Sequence, residues 1–271
     1  MGKIKKPSVA GLFYPADINE LKDCLIDYFS FAENNIDKVL IDEIKKPKII
    51  VSPHAGYVFS GKTAAFGYYL LSETDDAPKR VVLIGPSHQV YFKGAAFSDF
   101  EKWETPLGNL KAEAVPVAQL TGLEGHFFIN DGIFDKEHSL EVHLPFLQKA
   151  LKGFSVLPVL YSDITPDILL DIMTALDDGK TLFIVSSDLS HYLAYEEAKE
   201  MDALANEAIP ALDFEKFKRG GEACGKTGIL AAILFARKKN LKGALLNYLN
   251  SGDTAGDKDS VVGYGSYVFY V

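Results

Sequence analysis

Three stretches of this chain follow one plan, and no other feature restricts its fold as strongly. Lys48–His54 (KIIVSPH) runs apolar, breaks at Pro53 and presents His54. Arg80–His88 (RVVLIGPSH) runs through Val81, Val82, Leu83 and Ile84, stops at Gly85 and Pro86, and presents His88. Leu182–His191 (LFIVSSDLSH) breaks at Ser186 and Ser187 and presents Asp188 and His191. Short, continuous apolar runs of this kind read as strands buried on both faces, as in a parallel sheet under helices. The carboxyl ends of parallel strands share one edge, where such sheets offer chemistry. His54, His88 and His191 can therefore converge although they are remote along the chain. Convergent imidazoles suit a transition metal.

The rest of the chain supports an α/β reading. Asp17–Phe31 reads as a helix, capped by Asp17, with Leu21, Cys24, Leu25, Tyr28 and Phe29 as its apolar stripe. That stripe makes Cys24 a packed thiol rather than a reactive one. Polar Glu33–Lys46 reads as surface loop, and Asp99–Gly108 as irregular. Further helices are expected around Thr63–Leu71, Ser139–Leu151, from Pro166 behind a Thr165 cap, over Tyr195–Leu212 and over Lys226–Lys238. Strands are expected at Ile49–Ser52, Val81–Gly85, Phe154–Tyr161, Leu182–Val185, Ala244–Leu249 and Val261–Val271. Helical segments between strands predict a mostly parallel central sheet covered by helices on both faces. With no linker, repeat or low-complexity tract, residues 1–271 are expected to form a single domain.

Charge and cysteine content narrow the function. A net charge of −9 argues against nucleic-acid binding. Cys24 and Cys224 are too few for a disulfide framework, which favours a reducing compartment. No apolar run approaches the ~20 residues of a membrane span. A cytoplasmic protein is expected.

Candidate chemistry falls into three groups. The first is His54, His88, Asp188, His191 and Cys224, side chains that bind transition metals or move protons. Cys224 follows Gly220 and Gly221 and precedes a helix, whose amino end favours a thiolate. Taken singly, each histidine reads as a hydrogen-bonded loop residue; a shared sheet edge reverses that. The second is EHSLEVHLP (Glu137–Pro145), where histidines five apart exclude the zinc-protease pattern. Glu137 or His138 can support a metal ligand or act as an acid or base, and capping fits equally well. His126 sits in a loop without partners. The third comprises two phosphate-loop patterns, GYVFSGKT (Gly56–Thr63) and GGEACGKT (Gly220–Thr227). Bulky Tyr57, Val58 and Phe59 crowd the first, and no strand precedes the second.

Eight segments together identify the chain as resembling the Memo family. They are VAGLFYP (Val9–Pro15), SPHAGYVFSG (Ser52–Gly61), GPSH (Gly85–His88), TPLG (Thr105–Gly108), EHSLEVHLPF (Glu137–Phe146), SSDLSHY (Ser186–Tyr192), ACGK (Ala223–Lys226) and VVGYGSYVF (Val261–Phe269). The resemblance spans essentially the whole chain and absorbs the first GKT match. It implies a fold similar to the class III, LigB-type extradiol dioxygenases. It also implies a metal, iron(II) or copper rather than zinc, with ligands matching His54, His88 and Cys224. Asp188, His191 and His138 are the expected catalytic groups beside it. Neighbouring AMMECR-like and radical-SAM proteins become candidate partners, and a small molecule or peptide the candidate ligand. Phe59 stands where the family often carries a second aromatic hydroxyl. GKTGI follows the cysteine where a proline-containing form is more usual. A metal-dependent redox enzyme, a peptide-binding module and a nucleotide hydrolase are the three functional expectations.

Overall fold

The computed structural model describes residues 2–74, 78–254 and 256–271. Its strands are β1 (Ile4–Lys5), β2 (Pro47–Ser52), β3 (Arg80–Pro86), β4 (Ala95–Phe97), β5 (Lys102–Thr105), β6 (Gly108–Ala112), β7 (Phe127–Ile129), β8 (Ser155–Tyr161), β9 (Thr181–Ser186), β10 (His191–Leu193), β11 (Lys242–Asn250) and β12 (Val261–Tyr270). The helices are α1 (Ile18–Asn35), α2 (Lys38–Glu43), α3 (Tyr57–Ser72), α4 (His143–Ala150), α5 (Pro166–Leu176), α6 (Tyr195–Ala208), α7 (Phe214–Gly220), α8 (Lys226–Lys238) and α9 (Ser251–Thr254).

One sheet joins these strands, with β6, β8, β3, β9 and β2 parallel at its centre. The long C-terminal β12 lies antiparallel to β2 and carries β11 and β10. Side chains alternate along each central strand, so both faces need an apolar cover. Ile50, Leu83 and Ile184 enter one core, under α1, α3 and α4. Ile49, Val51, Val82, Ile84, Phe183 and Val185 enter the other, under α5 to α8. This double burial is why the three signature strands read as unbroken apolar runs. Among the described residues no helix is long and apolar enough to cross a membrane.

Local chemistry places the helix ends. The Asp17 carboxylate accepts the Asn19 and Glu20 N–H groups, and Leu21, Leu25, Phe29 and Ala32 bury one stripe of α1. Thr165 caps α5 through the Ile168 N–H, with Pro166 in the first turn.

Several expectations shift. The supposed loop Glu33–Lys46 contains the end of α1 and all of α2, capped by Asp37. No residue of α2 is buried, so its helix carries no apolar stripe to read. Asp99–Gly108 holds β5 and the turn into β6, where Trp103 and Thr105 face inward and Lys102 and Glu104 do not. The helix expected over Ser139–Leu151 starts only at His143, leaving 137–142 as a folded loop. The helix around Thr63–Leu71 begins earlier, at Tyr57.

The N-terminal segment is held by one buried carboxylate. Glu141, 1% exposed, accepts the Ser8 N–H at 2.8 Å, the Val9 N–H at 2.9 Å, the Ser8 hydroxyl at 2.7 Å and the Tyr14 hydroxyl at 2.8 Å. Lys5 Nζ lies 3.5 Å away, in a residue itself only 3% exposed. Removing one side of such a pair strands the other in low dielectric. Glu141→Ala should cost ~3–5 kcal/mol, lower the urea midpoint and open the segment before Pro15 to protease. An unchanged midpoint with an intact N-terminus would show that other contacts hold this segment.

Candidate metal centre

The carboxyl ends of β2, β3 and β9 deliver their loops to one edge, as the parallel register requires. His54 lies two residues beyond β2, and His88 two residues beyond β3. The folded loop after Asp135 crosses the end of β3 and adds His138. It can do so because Gly85 has no side chain: a Cβ there would stand 2.7 Å from Leu140 Cδ2 and 3.0 Å from Ser139 Oγ. The ligating atoms of His54, His88 and His138 all lie within 4.8 Å of one another. Their ring centroids are 5.0 Å (His54–His88), 5.4 Å (His54–His138) and 4.7 Å (His88–His138) apart.

Hydrogen bonds fix which ring nitrogen His54 and His88 offer. Ser186 Oγ donates its one proton to the Ser139 carbonyl at 2.6 Å, so it accepts from Nδ1–H of His54, also at 2.6 Å. His54 is thereby held as the tautomer with a bare Nε2. Nδ1–H of His88 donates to Glu137 Oε1 at 3.0 Å, and Nδ1 of His138 lies 3.3 Å from the same oxygen. Backing of this kind orients metal-binding imidazoles. The Glu137 carboxylate also accepts the backbone N–H groups of His88 at 2.6 Å and of His138 and Ser139 at 3.0 Å. Burial pushes Glu137 up, but the His88 ring and these amides outweigh it and bring its carboxyl down to about 2. It stays ionised against two rings.

Burial, reinforced by the neighbouring His88 and His138, holds His54 well below the usual imidazole range. Burial also lowers His138, against the pull of Glu137. Neutral imidazoles with directed lone pairs are the ligand form, so the residues present fit a transition metal.

Cys224 and Asp188 adjoin this set. The Cys224 Sγ lies 3.2 Å from Nε2 of His54 and accepts the Asp188 N–H at 3.3 Å. Gly225 permits the approach, since a Cβ there would stand 2.5 Å from the Ser186 carbonyl oxygen. Burial and the Asp188 charge raise the thiol to about 12, so without a cation beside it the sulfur stays protonated. Asp188 Oδ1 accepts the His54 N–H at 2.8 Å, and Oδ2 lies 4.0 Å from His54 Nε2. Burial raises Asp188 to about 6 despite that hydrogen bond and the nearby histidines. His191, at the start of β10, lines the same cleft of about 650 Å³ together with Phe13, Phe59, Tyr192 and Tyr264. Reading the sequence missed Tyr264, which is brought in by β12 far down the chain, and the Ser186–Ser139 bond that orients His54.

The phosphate-loop patterns dissolve in the fold. Helix α3 starts inside GYVFSGKT, and the Phe59 and Ser60 amides already bond to the Gly56 carbonyl. Lys62 Nζ sits 5.2 Å from the Phe31 ring centroid, and Thr63 is fully buried. In GGEACGKT the Cys224 amide donates to Asp188 and the Gly225 amide to Ser187 Oγ. Neither segment keeps a run of free amides for phosphate. Glu141 serves the N-terminus as described, and His143 is buried with Nδ1 2.7 Å from the Tyr68 hydroxyl.

The buried histidines set the pH response of the metal-free protein. Burial brings His143 down to about 3 and lowers His54 and His138 from 6.5. These folded-state values lie below those of an unfolded chain, so unfolding takes up protons below pH 6.5 and stability falls with pH. Glu137 adds to the loss between about 4.5 and about 2. Asp188, raised from 3.8 to about 6, acts the other way between those two values. Three imidazoles against one carboxyl predict a urea midpoint that drops between pH 7 and 5, with a shallower slope in His143→Gln. A flat profile would contradict the buried neutral histidines.

Known proteins resemble this chain over nearly its full length. Residues 5–268 match the family model described as Memo-like protein. A MEMO1 family protein of Nitrosopumilus maritimus is 34% identical over 280 residues, covering 98% of this chain and 99% of that one. One from Methanosarcina mazei is 35% identical over 287 residues, with 98% and 99% covered. An uncharacterised protein of Escherichia coli K12 shares the fold at a TM-score of 0.53 and 12% identity, covering 82% of this chain and 100% of its own. From near its first strand to the end of its last, the chain belongs to the Memo-like family.

Proposed function

We propose that this protein is a metal-dependent redox enzyme, with iron(II) or copper held by Nε2 of His54, His88 and His138. The observation that carries the reading is the cluster itself: three imidazoles within 4.8 Å, backed by Ser186 and Glu137. Three imidazoles accept zinc as well. Iron(II) or copper is preferred because the family resembles the extradiol dioxygenases. The bound ion would supply electron transfer and polarise a substrate oxygen. The chain's own part is acid–base control and shape. Asp188 Oδ2 lies 4.0 Å from His54 Nε2, and burial raises its carboxyl above the usual carboxylate range, which suits it to take and return a substrate proton. His191 stands at the cleft as a second proton carrier. Phe13, packed 4.6 Å from the His138 ring, and Tyr264 give the cleft walls that exclude water around a small organic substrate.

A second ligand set replaces one imidazole with Cys224, and the 3.2 Å contact between its Sγ and His54 Nε2 favours it. A second function, capture of a peptide or partner protein in the same cleft, is favoured by Tyr192, which is 78% exposed at its rim. AMMECR-like and radical-SAM proteins are the partners to try first.

Anaerobic titration with Fe(II) and Cu(I) should find one ion per chain. Alanine at His54, His88 or His138 should abolish tight binding, and Glu137→Gln should weaken it roughly 10–100-fold. X-ray absorption decides between the ligand sets: a sulfur shell near ~2.3 Å assigns Cys224, and its absence assigns the three histidines. Oxygen uptake with catechol-like compounds tests turnover. Protein that retains no ion above background would end the metal reading, and partner capture that persists in His54→Ala would favour the binding module.

A further inference from the structure

A lysine-rimmed groove lies far from this cleft, at the amino ends of the central strands. It has a volume of about 770 Å³ and is bounded by α1, the end of α4, β6 and the residues leading into β8. Its floor is apolar, formed by Leu25, Leu110, Leu151 and Phe154, with Ile26 exposed at its margin. Lys22, Lys111, Lys149 and Lys152 surround it, and among the described residues no aspartate or glutamate lines it. In a chain of 37 acidic and 28 basic residues that is an inverted local charge. Among the described residues none of these four lysines forms an ion pair. Lys102 stands directly opposite Lys111 in the β5–β6 pair, an unfavourable like-charge juxtaposition that an anion would relieve.

The groove also contains a free strand edge. β8 pairs with β6 only at Lys111 and Ala112, so Gly108, Asn109 and Leu110 have no strand on that side. The side-chain hydrogen bonds to this stretch both reach the Gly108 carbonyl, from the Gln148 amide at 3.1 Å and the Thr105 hydroxyl at 3.3 Å. An open edge beside an apolar floor is the arrangement that takes an extended peptide as an added strand.

We propose that this groove docks an acidic, extended segment of a partner protein along the first half of β6. An apolar residue of the segment would sit between Leu25, Leu110 and Phe154, with carboxylates facing the four lysines. The same lysines repel a second copy of the groove, which disfavours a symmetric dimer through this face.

The test uses the full chain and two fluorescein-labelled ten-residue peptides, one alternating Glu and Leu, the other Lys and Leu. Anisotropy should report saturable, salt-sensitive binding of the acidic peptide and none of the basic one. The exposed double variant Lys111→Glu/Lys149→Glu, checked for an unchanged circular dichroism spectrum, should weaken it by at least about tenfold. Amide shifts on binding should cluster at residues 18–26, 107–111 and 148–154. No binding, equal binding of both peptides, or full binding by the variant would overturn the proposal. So would equally tight binding of dodecyl phosphate or phosphatidylserine vesicles, or sedimentation showing a dimer that the variant dissolves.

Discussion

The functional edge of this protein is organised by one buried carboxylate. Glu137 accepts both the ring and the backbone N–H of His88 and the backbone amides of the two residues that follow it. A carboxylate can be buried only if its lone pairs are filled, and those that fill it here come from the loop after β3 and the loop before α4. Satisfying Glu137 therefore ties the two loops together and turns two imidazoles toward the same space. The third, His54, is positioned independently by the Ser186 hydroxyl, whose proton is committed to Ser139. Ser139 belongs to the Glu137 loop, so the two arrangements share a joint.

Around that joint the glycines are as informative as the polar groups. Gly85 and Gly225 stand where loops press onto strand ends: a Cβ at Gly225 would meet the Ser186 carbonyl oxygen at 2.5 Å, and one at Gly85 would displace the Leu140 and Ser139 side chains. The sheet supplies the platform and the missing Cβ atoms let the second layer of chain close over it. The cost of packing polar loops so tightly is met by backbone hydrogen bonds, among them Cys224 N–H to Asp188 and Ser187 N–H to Ser52.

Much of this could be read from residues alone, for a definite reason. Doubly buried strands leave continuous apolar runs, and parallel strands must end on one edge, so the convergence of His54 and His88 followed from pattern and topology. From the residues, His138 is expected beside the metal as a catalytic group, not within the cluster of ligand atoms, because a histidine in a loop has no period to announce its direction; the crossing over Gly85 supplies it. His191 lies in the expected cleft, yet the residue that joins His54 and His88 within 4.8 Å comes from the EHSLEVH segment. Helices α2 and α7 lack a clear amphipathic stripe because they are short and fully bury no residue and a single phenylalanine respectively, with Leu40, Ile41 and Phe214 only partly covered. The GKT patterns misled for the opposite reason: a local match carries no information about whether its amides are already spent in a helix.

The three clustered histidines come from loops spread over more than eighty residues of the chain, from His54 to His138. Their meeting depends on β2, β3 and β9 being already in register, contacts of high sequence separation that form slowly. The nascent polypeptide consequently offers an ion no preassembled nest, unlike a short finger-type module whose ligands sit a few residues apart. An ion held by these three rings would therefore be taken up at the end of maturation, and its presence would report that the sheet has been built correctly.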